Sequence, residues 1–94
     1  MDLVVEPAAT EVIVRISGEF DAAQCPEFER RVRATMDSGL PVRIDAAGVS
    51  FIDSSALNVL MHLRRIGTLT VDRGNVRIDR LVALTGLEIF YGDI

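Results

Sequence analysis

The sequence predicts an α/β fold: one domain over residues 1–94, a mixed β-sheet with helices packed on it in the order β-β-α-β-α-β-α-β. Three observations predict it. Short runs rich in β-branched and aromatic residues recur at 3–5, 12–16, 42–46, 69–72 and 89–91. Between the later runs lie segments whose apolar residues repeat at helical spacing. The balance of 49% hydrophobic to 26% charged residues in a chain of 94 is that of a protein with a modest buried core, not of a disordered tail.

The first two runs flank Glu6-Pro7-Ala8-Ala9-Thr10-Glu11, which reads as a hairpin loop containing a proline. In the second run Val12, Val14 and Ile16 alternate with Ile13 and Arg15, so at least one face is buried, and Gly18-Glu19-Phe20-Asp21 closes it. Asp21 stands where an N-cap belongs. Phe28, Val32 and Met36 then recur at helical spacing to about Asp37, with Glu27, Glu29, Arg30, Arg31 and Arg33 on the outer side. Ser38-Gly39-Leu40-Pro41 stops the helix, and a third strand starts at Val42. Strand, helix and strand in that order predict a parallel pair with a right-handed crossover. The pattern repeats through a second helix from Ser54 to Ile66, a fourth strand, a third helix over 77–84 and a fifth strand over 89–91.

Charge and cysteine content exclude several classes of function. Fourteen acidic residues outweigh ten arginines, lysine is absent, and the net charge is -4, so direct nucleic-acid binding is not expected. Arg64, Arg65, Arg73, Arg77 and Arg80 do gather late in the chain, interleaved with Asp72 and Asp79. They read first as solvated surface and second as a patch for an acidic partner. Cys25 is the single cysteine and can form no internal disulfide. At a helix start beside Pro26 a lowered thiol pKa is conceivable, though an incidental small side chain is the simpler reading. There is no charged leader followed by an apolar run, and no apolar stretch of about 18 residues, so a cytoplasmic protein without membrane insertion is expected.

The segment Phe51-Ile52-Asp53-Ser54-Ser55-Ala56-Leu57 carries the most information: an apolar strand end runs into two serines that open an apolar helix. With Ser54 at zero on a helical wheel, Asn58, His62 and Arg65 fall at roughly 40°, 80° and 20°. Ala56, Leu57, Val59, Leu60 and Leu63 occupy roughly 140° to 300°, and Met61 lies on the margin of the stripe near 340°. The polar stripe is either plain solvated surface or a recognition face controlled by charge at Ser54. Ser54 itself has three chemical readings. As a cap, it or Asp53 accepts a backbone N–H at the helix start. As a nucleophile it would need His62 as base, but eight helical residues place that imidazole about 12 Å along the axis, and no Gly-x-Ser-x-Gly elbow is present. As a phosphoacceptor it would gain about two negative charges beside Asp53 and alter any partner on the stripe while the fold survived. No metal-ligand spacing and no glycine-rich phosphate loop occur, so no metal, cofactor or enzymatic activity is expected.

Asp53-Ser54-Ser55-Ala56-Leu57 resembles the Asp-Ser-Ser/Thr-Gly-Leu motif that opens the second helix of STAS domains, in particular the bacterial anti-sigma-factor antagonists. Gly18-Glu19-Phe20-Asp21 resembles that family's Gly-Glu-Leu-Asp at the end of its second strand, and Leu84-Thr85-Gly86-Leu87 its late Thr-Gly-Leu turn. The resemblance implies a partner-switching regulator of transcription. Unphosphorylated, it would bind an anti-sigma factor that is also a serine kinase and so free a sigma factor; phosphorylation of Ser54 would release it, and a serine phosphatase would reset it. By the same resemblance Asp21 and Asp53 flank the binding surface and Ser55 is the adjacent hydroxyl, and the stripe adds Asn58, Met61 and His62 as partner contacts. Ala56 departs from the motif by adding a methyl group where the family has glycine. Two alternatives stay open: a STAS subunit that binds an ABC-transporter ATPase in lipid trafficking, and a scaffold component of a stress-sensing assembly.

Overall fold

The computed structural model describes residues 1–92. Four strands form one sheet in the order β1-β2-β3-β4. The hairpin of β1 (Asp2–Pro7) and β2 (Val12–Phe20) is antiparallel, with Val5 opposite Val14 and Pro7 opposite Val12. Pro7 ends the edge strand rather than lying in the loop, a position where its missing N–H costs no ladder bond inside the sheet. β2 runs parallel to β3 (Val42–Ile52), and β3 parallel to β4 (Leu69–Val71). The crossovers are α1 (Cys25–Met36) and α2 (Ser54–Ile66), which pack against each other. α3 (Val76–Thr85) lies against β3.

Alternation along the strands separates two faces. Val12, Val14 and Ile16 of β2 and Val42, Ile44 and Ala46 of β3 are buried in one core with Phe28 and Val32 of α1 and Leu57, Leu60 and Leu63 of α2. The Phe20 and Phe28 rings meet there at 4.6 Å between centroids, tilted by 46°. The intervening positions carry ion pairs: Glu6 with Arg15 (3.0 Å), Arg15 with Asp45 (3.6 Å), Glu11 with Arg43 (3.2 Å) and Arg43 with Asp72 (3.4 Å).

β2 and β3 extend further than their sequence runs indicated, to Phe20 and Ile52, because two β-bulges hide the strand period. The register passes from Arg15 opposite Asp45 to Ser17 opposite Gly48, and from Gly18 opposite Val49 to Glu19 opposite Phe51. β3 therefore uses 11 residues to run beside the 9 of β2. Gly48 is needed at the first bulge, where a Cβ would lie 2.8 Å from Ser17 Cβ. Gly48→Ala is expected to lower unfolding free energy by about 1–3 kcal/mol, the usual cost of forcing an extra methyl into packed structure, as urea titration would measure.

Two further expectations need correction. Asp21 is not the N-cap of α1. Its side chain accepts the Ala23 N–H at 3.0 Å in a turn that precedes the helix, and Gln24 holds the cap position. Pro26 is the reason: a helix starting after Asp21 would require the proline to donate an N–H it lacks to the Ala22 carbonyl. The predicted fifth strand over 89–91 is instead a 3-10 turn, η1 (Glu88–Tyr91), beside β4. Gly86 ends α3 in the left-handed region, φ 72°, and the Gly86 and Leu87 N–H groups both bond back to Val82 O. The Phe90 N–H then bonds to Leu87 O, so the short apolar run coils and buries Phe90 alone of its described side chains. A short apolar run does not by itself distinguish strand from turn.

Candidate partner-binding site

The two parallel central strands end together. Phe20 pairs with Ile52, so Asp21 and Asp53 are the first residues beyond that pair and leave the carboxyl edge of the sheet side by side. The carboxyl edge of parallel strands is where α/β proteins present binding groups. Asp21 and Asp53 are both half-buried here.

Asp53 takes the capping role. Its backbone is extended, φ -122° and ψ -179°, and its Oδ1 accepts the Ala56 N–H at 3.1 Å. Ser54, the first residue of α2, is therefore not needed as a cap. Its side chain is exposed, and among the described residues its hydroxyl has no hydrogen-bond partner. Ser55 is half-buried beside it. Ala56 is fully buried, so the methyl that departs from the glycine motif points into the core and not toward a docking partner.

The stripe along α2 is as the wheel predicts. Asn58, His62 and Arg65 are exposed with Ser54, Met61 is half-buried on the margin, and Ala56, Leu57, Leu60 and Leu63 fill the core. Val59 is only half-buried, because it faces the groove between α1 and α2 together with Ala22, Cys25, Pro26 and Glu29. His62 Nε2 lies 3.5 Å from Glu29 Oε1 across that groove. The imidazole thus turns toward α1, and the long axial separation from Ser54 leaves no nucleophile and base pair between them.

Cys25 reports the electrostatics of this edge. Its thiol donates to the Asp21 carbonyl at 3.3 Å. Burial pushes its pKa up, and the carboxylates of Asp53, Asp21 and Glu29 add to the same effect. The lowered thiol pKa that the sequence left conceivable is therefore reversed in direction. Alkylation of Cys25 by iodoacetamide at pH 8 should be slower than that of an exposed peptide thiol, and Asp53→Asn should speed it by removing one opposing charge. The sequence placed Glu29 on the solvated side of α1, and no local pattern signals that it meets His62 and Cys25; only the packing of α1 on α2 brings them together.

Among the described residues no group of three or more His, Cys, Asp or Glu side chains could hold a metal ion, and no helix is long and apolar enough to cross a membrane. The comparison with known families is decided by one match: the family described as "Mlab, STAS domain" matches residues 4–91. The chain belongs to the STAS domain family. As a STAS domain it is similar to the anti-sigma-B factor antagonist of Bacillus subtilis (strain 168), 29% identical over 83 residues that take in 83% of this chain and 76% of that protein. It is also similar to the crystal structure of an anti-sigma factor antagonist from Mycobacterium paratuberculosis, with TM-score 0.85 and 27% identity, covering 97% of this chain and 82% of that one. SpoIIAA, the Bacillus cell fate determinant solved in its phosphorylated form, shares the fold alone: TM-score 0.70, 18% identity, 99% of this chain and 91% of that one. The two relatives above 25% identity, from Bacillus subtilis and Mycobacterium paratuberculosis, are both anti-sigma factor antagonists.

Proposed function

We propose that this STAS domain is an anti-sigma-factor antagonist of the cytoplasm, switched by phosphorylation of Ser54. One observation carries the reading: Asp53 caps α2, which leaves the Ser54 hydroxyl exposed and uncommitted at the head of a polar stripe. In the unphosphorylated state the partner, an anti-sigma factor with serine-kinase activity, docks on Ser54, Ser55, Asn58, Met61 and His62, with a cationic group set against Asp21 and Asp53. Phosphate on Ser54 adds roughly two negative charges. The N-terminus of α2 tolerates them, since its free N–H groups and dipole favour anions. The interface does not, because the new charge sits beside two carboxylates and changes the shape of the docking edge. A serine phosphatase restores the binding form.

The test is affinity capture with wild-type and Ser54→Asp baits. Recovery of a kinase of the histidine-kinase-like ATPase fold on wild type, with its loss on the Asp variant, supports the switch. Equal recovery of transporter ATPase subunits on both baits would instead assign the chain to lipid trafficking and reduce Ser54 to an ordinary helix residue.

A further inference from the structure

A second surface lies next to this site and does not depend on Ser54. Phe51, Val76 and Leu84 are 48%, 70% and 77% exposed, three of the five large hydrophobic side chains left exposed among the described residues. On α3, Val76 and Leu84 belong to one face. With Val76 at zero, Arg80, Leu84, Arg77 and Leu81 follow at roughly 40°, 80°, 100° and 140°. Ile78 and Val82 take the opposite, buried side. Phe51, at the end of β3, closes one wall of a shallow groove of about 470 Å³ whose other walls are Ile52, Val76, Arg77, Arg80 and Leu81. The face is apolar at its ends and cationic between them.

The arginines identify the occupant. Of the five late arginines, Arg64 donates to the Leu69 carbonyl at 2.7 Å, and Arg73 stacks over the Tyr91 ring at 4.2 Å. Arg65, Arg77 and Arg80 form no ion pair among the described residues, and of these three only Arg77 and Arg80 line the groove. Arg77 also stands in the first turn of α3, where the helix dipole disfavours a cation, so its charge costs the helix instead of supporting it. In a chain of net charge -4 these are two uncompensated cations flanking exposed apolar side chains. We infer that the groove between Phe51 and α3 docks an acidic amphipathic protein segment, one whose apolar side chains seat on Phe51, Val76 and Leu84 while its carboxylates pair with Arg77 and Arg80. Val76 and Leu84 lie about 12 Å apart along the axis, a span that two to three turns of a partner helix match. A protein segment is favoured over an anionic lipid surface because Phe51, Ile52, Val76 and Leu81 line a groove, with Leu84 exposed beyond it on α3, and two arginines supply little of the charge a membrane surface site draws on.

Nuclear magnetic resonance titration of the full chain tests this. The probe is a short synthetic helical peptide with leucines on one side and glutamates between them; the control carries lysines in place of the glutamates. The glutamate peptide should shift the amides of Phe51, Val76, Arg77 and Arg80, the lysine peptide should not, and the double variant Arg77→Glu, Arg80→Glu should lose roughly tenfold or more in affinity. Because both arginines are exposed, that variant keeps the wild-type melting temperature, and Val76→Ser offers an independent weakening without a charge change. Equal binding of both peptides, shifts elsewhere, or no binding would overturn the inference. So would concentration-dependent shifts on this face without peptide, which would make it a contact between copies. A response to phosphatidylglycerol vesicles but not to the peptide would assign it to lipid.

Discussion

Asn75→Ala is expected to lower the free energy of unfolding by about 3 kcal/mol, the largest stability loss of any single polar side chain among the described residues. Asn75 is the one buried polar residue among the described residues, at 7% exposure, and all of its hydrogen-bonding capacity is in use. Its side-chain oxygen caps α3 by accepting the Arg77 and Ile78 N–H groups at 3.0 and 3.2 Å. Its amide nitrogen donates to the Ala46 and Val49 carbonyls at 2.8 and 3.0 Å, one in the first bulge of β3 and the other just beyond it. Alanine removes a cap worth about 1 kcal/mol and takes a side-chain donor away from two carbonyls of buried residues, at about 1 kcal/mol each. For a domain of this size the melting temperature should fall by roughly 15 °C. A fall of only a degree or two in calorimetry would mean that water replaces the amide at the bulge.

Ser54→Asp is expected to leave the fold intact and to weaken partner binding by about tenfold or more. The first helical position favours an anion, so the variant should melt within a few degrees of wild type. Ser54→Ala removes a hydroxyl with no hydrogen-bond partner among the described residues, so stability should change by less than about 0.5 kcal/mol and binding should persist. The two variants differ in charge at one exposed atom group, which makes their comparison a test of charge and not of folding. Isothermal titration of the purified partner into each reads the effect directly; equal affinities would refute control through Ser54.

The central sheet and the α2 stripe were legible in the sequence because both depend on local period. Val12, Val14 and Ile16 alternate without interruption, and the wheel of Ser54 to Ile66 separates buried Leu57, Leu60 and Leu63 from exposed Asn58 and His62. The Asp-Ser-Ser motif stands out in the sequence because a strand end, a cap and a helix start coincide there. What the sequence hid is non-local. Bulges in β3 break the alternation over Ala46 to Ser50, and the amide that compensates them comes from Asn75, 29 and 26 residues away along the chain from the carbonyls it meets. Pro26 outweighed Asp21 in setting the start of α1, since a missing donor is a harder constraint than a favourable cap. The run ending in Phe90 and Tyr91 has strand propensity, but Gly86 turns the chain back on Val82 before it can pair.

The measurement that tests the central claim most directly is phosphate transfer. The purified partner, ATP and this protein are incubated together, and the modified residue is located by tandem mass spectrometry while the complex is followed by gel filtration. One phosphate on Ser54, none on Ser55, no incorporation into Ser54→Ala, and dissolution of the complex as the phosphate appears are the predicted results. A complex that persists with Ser54 fully phosphorylated, or phosphate placed only on another residue, would contradict the account.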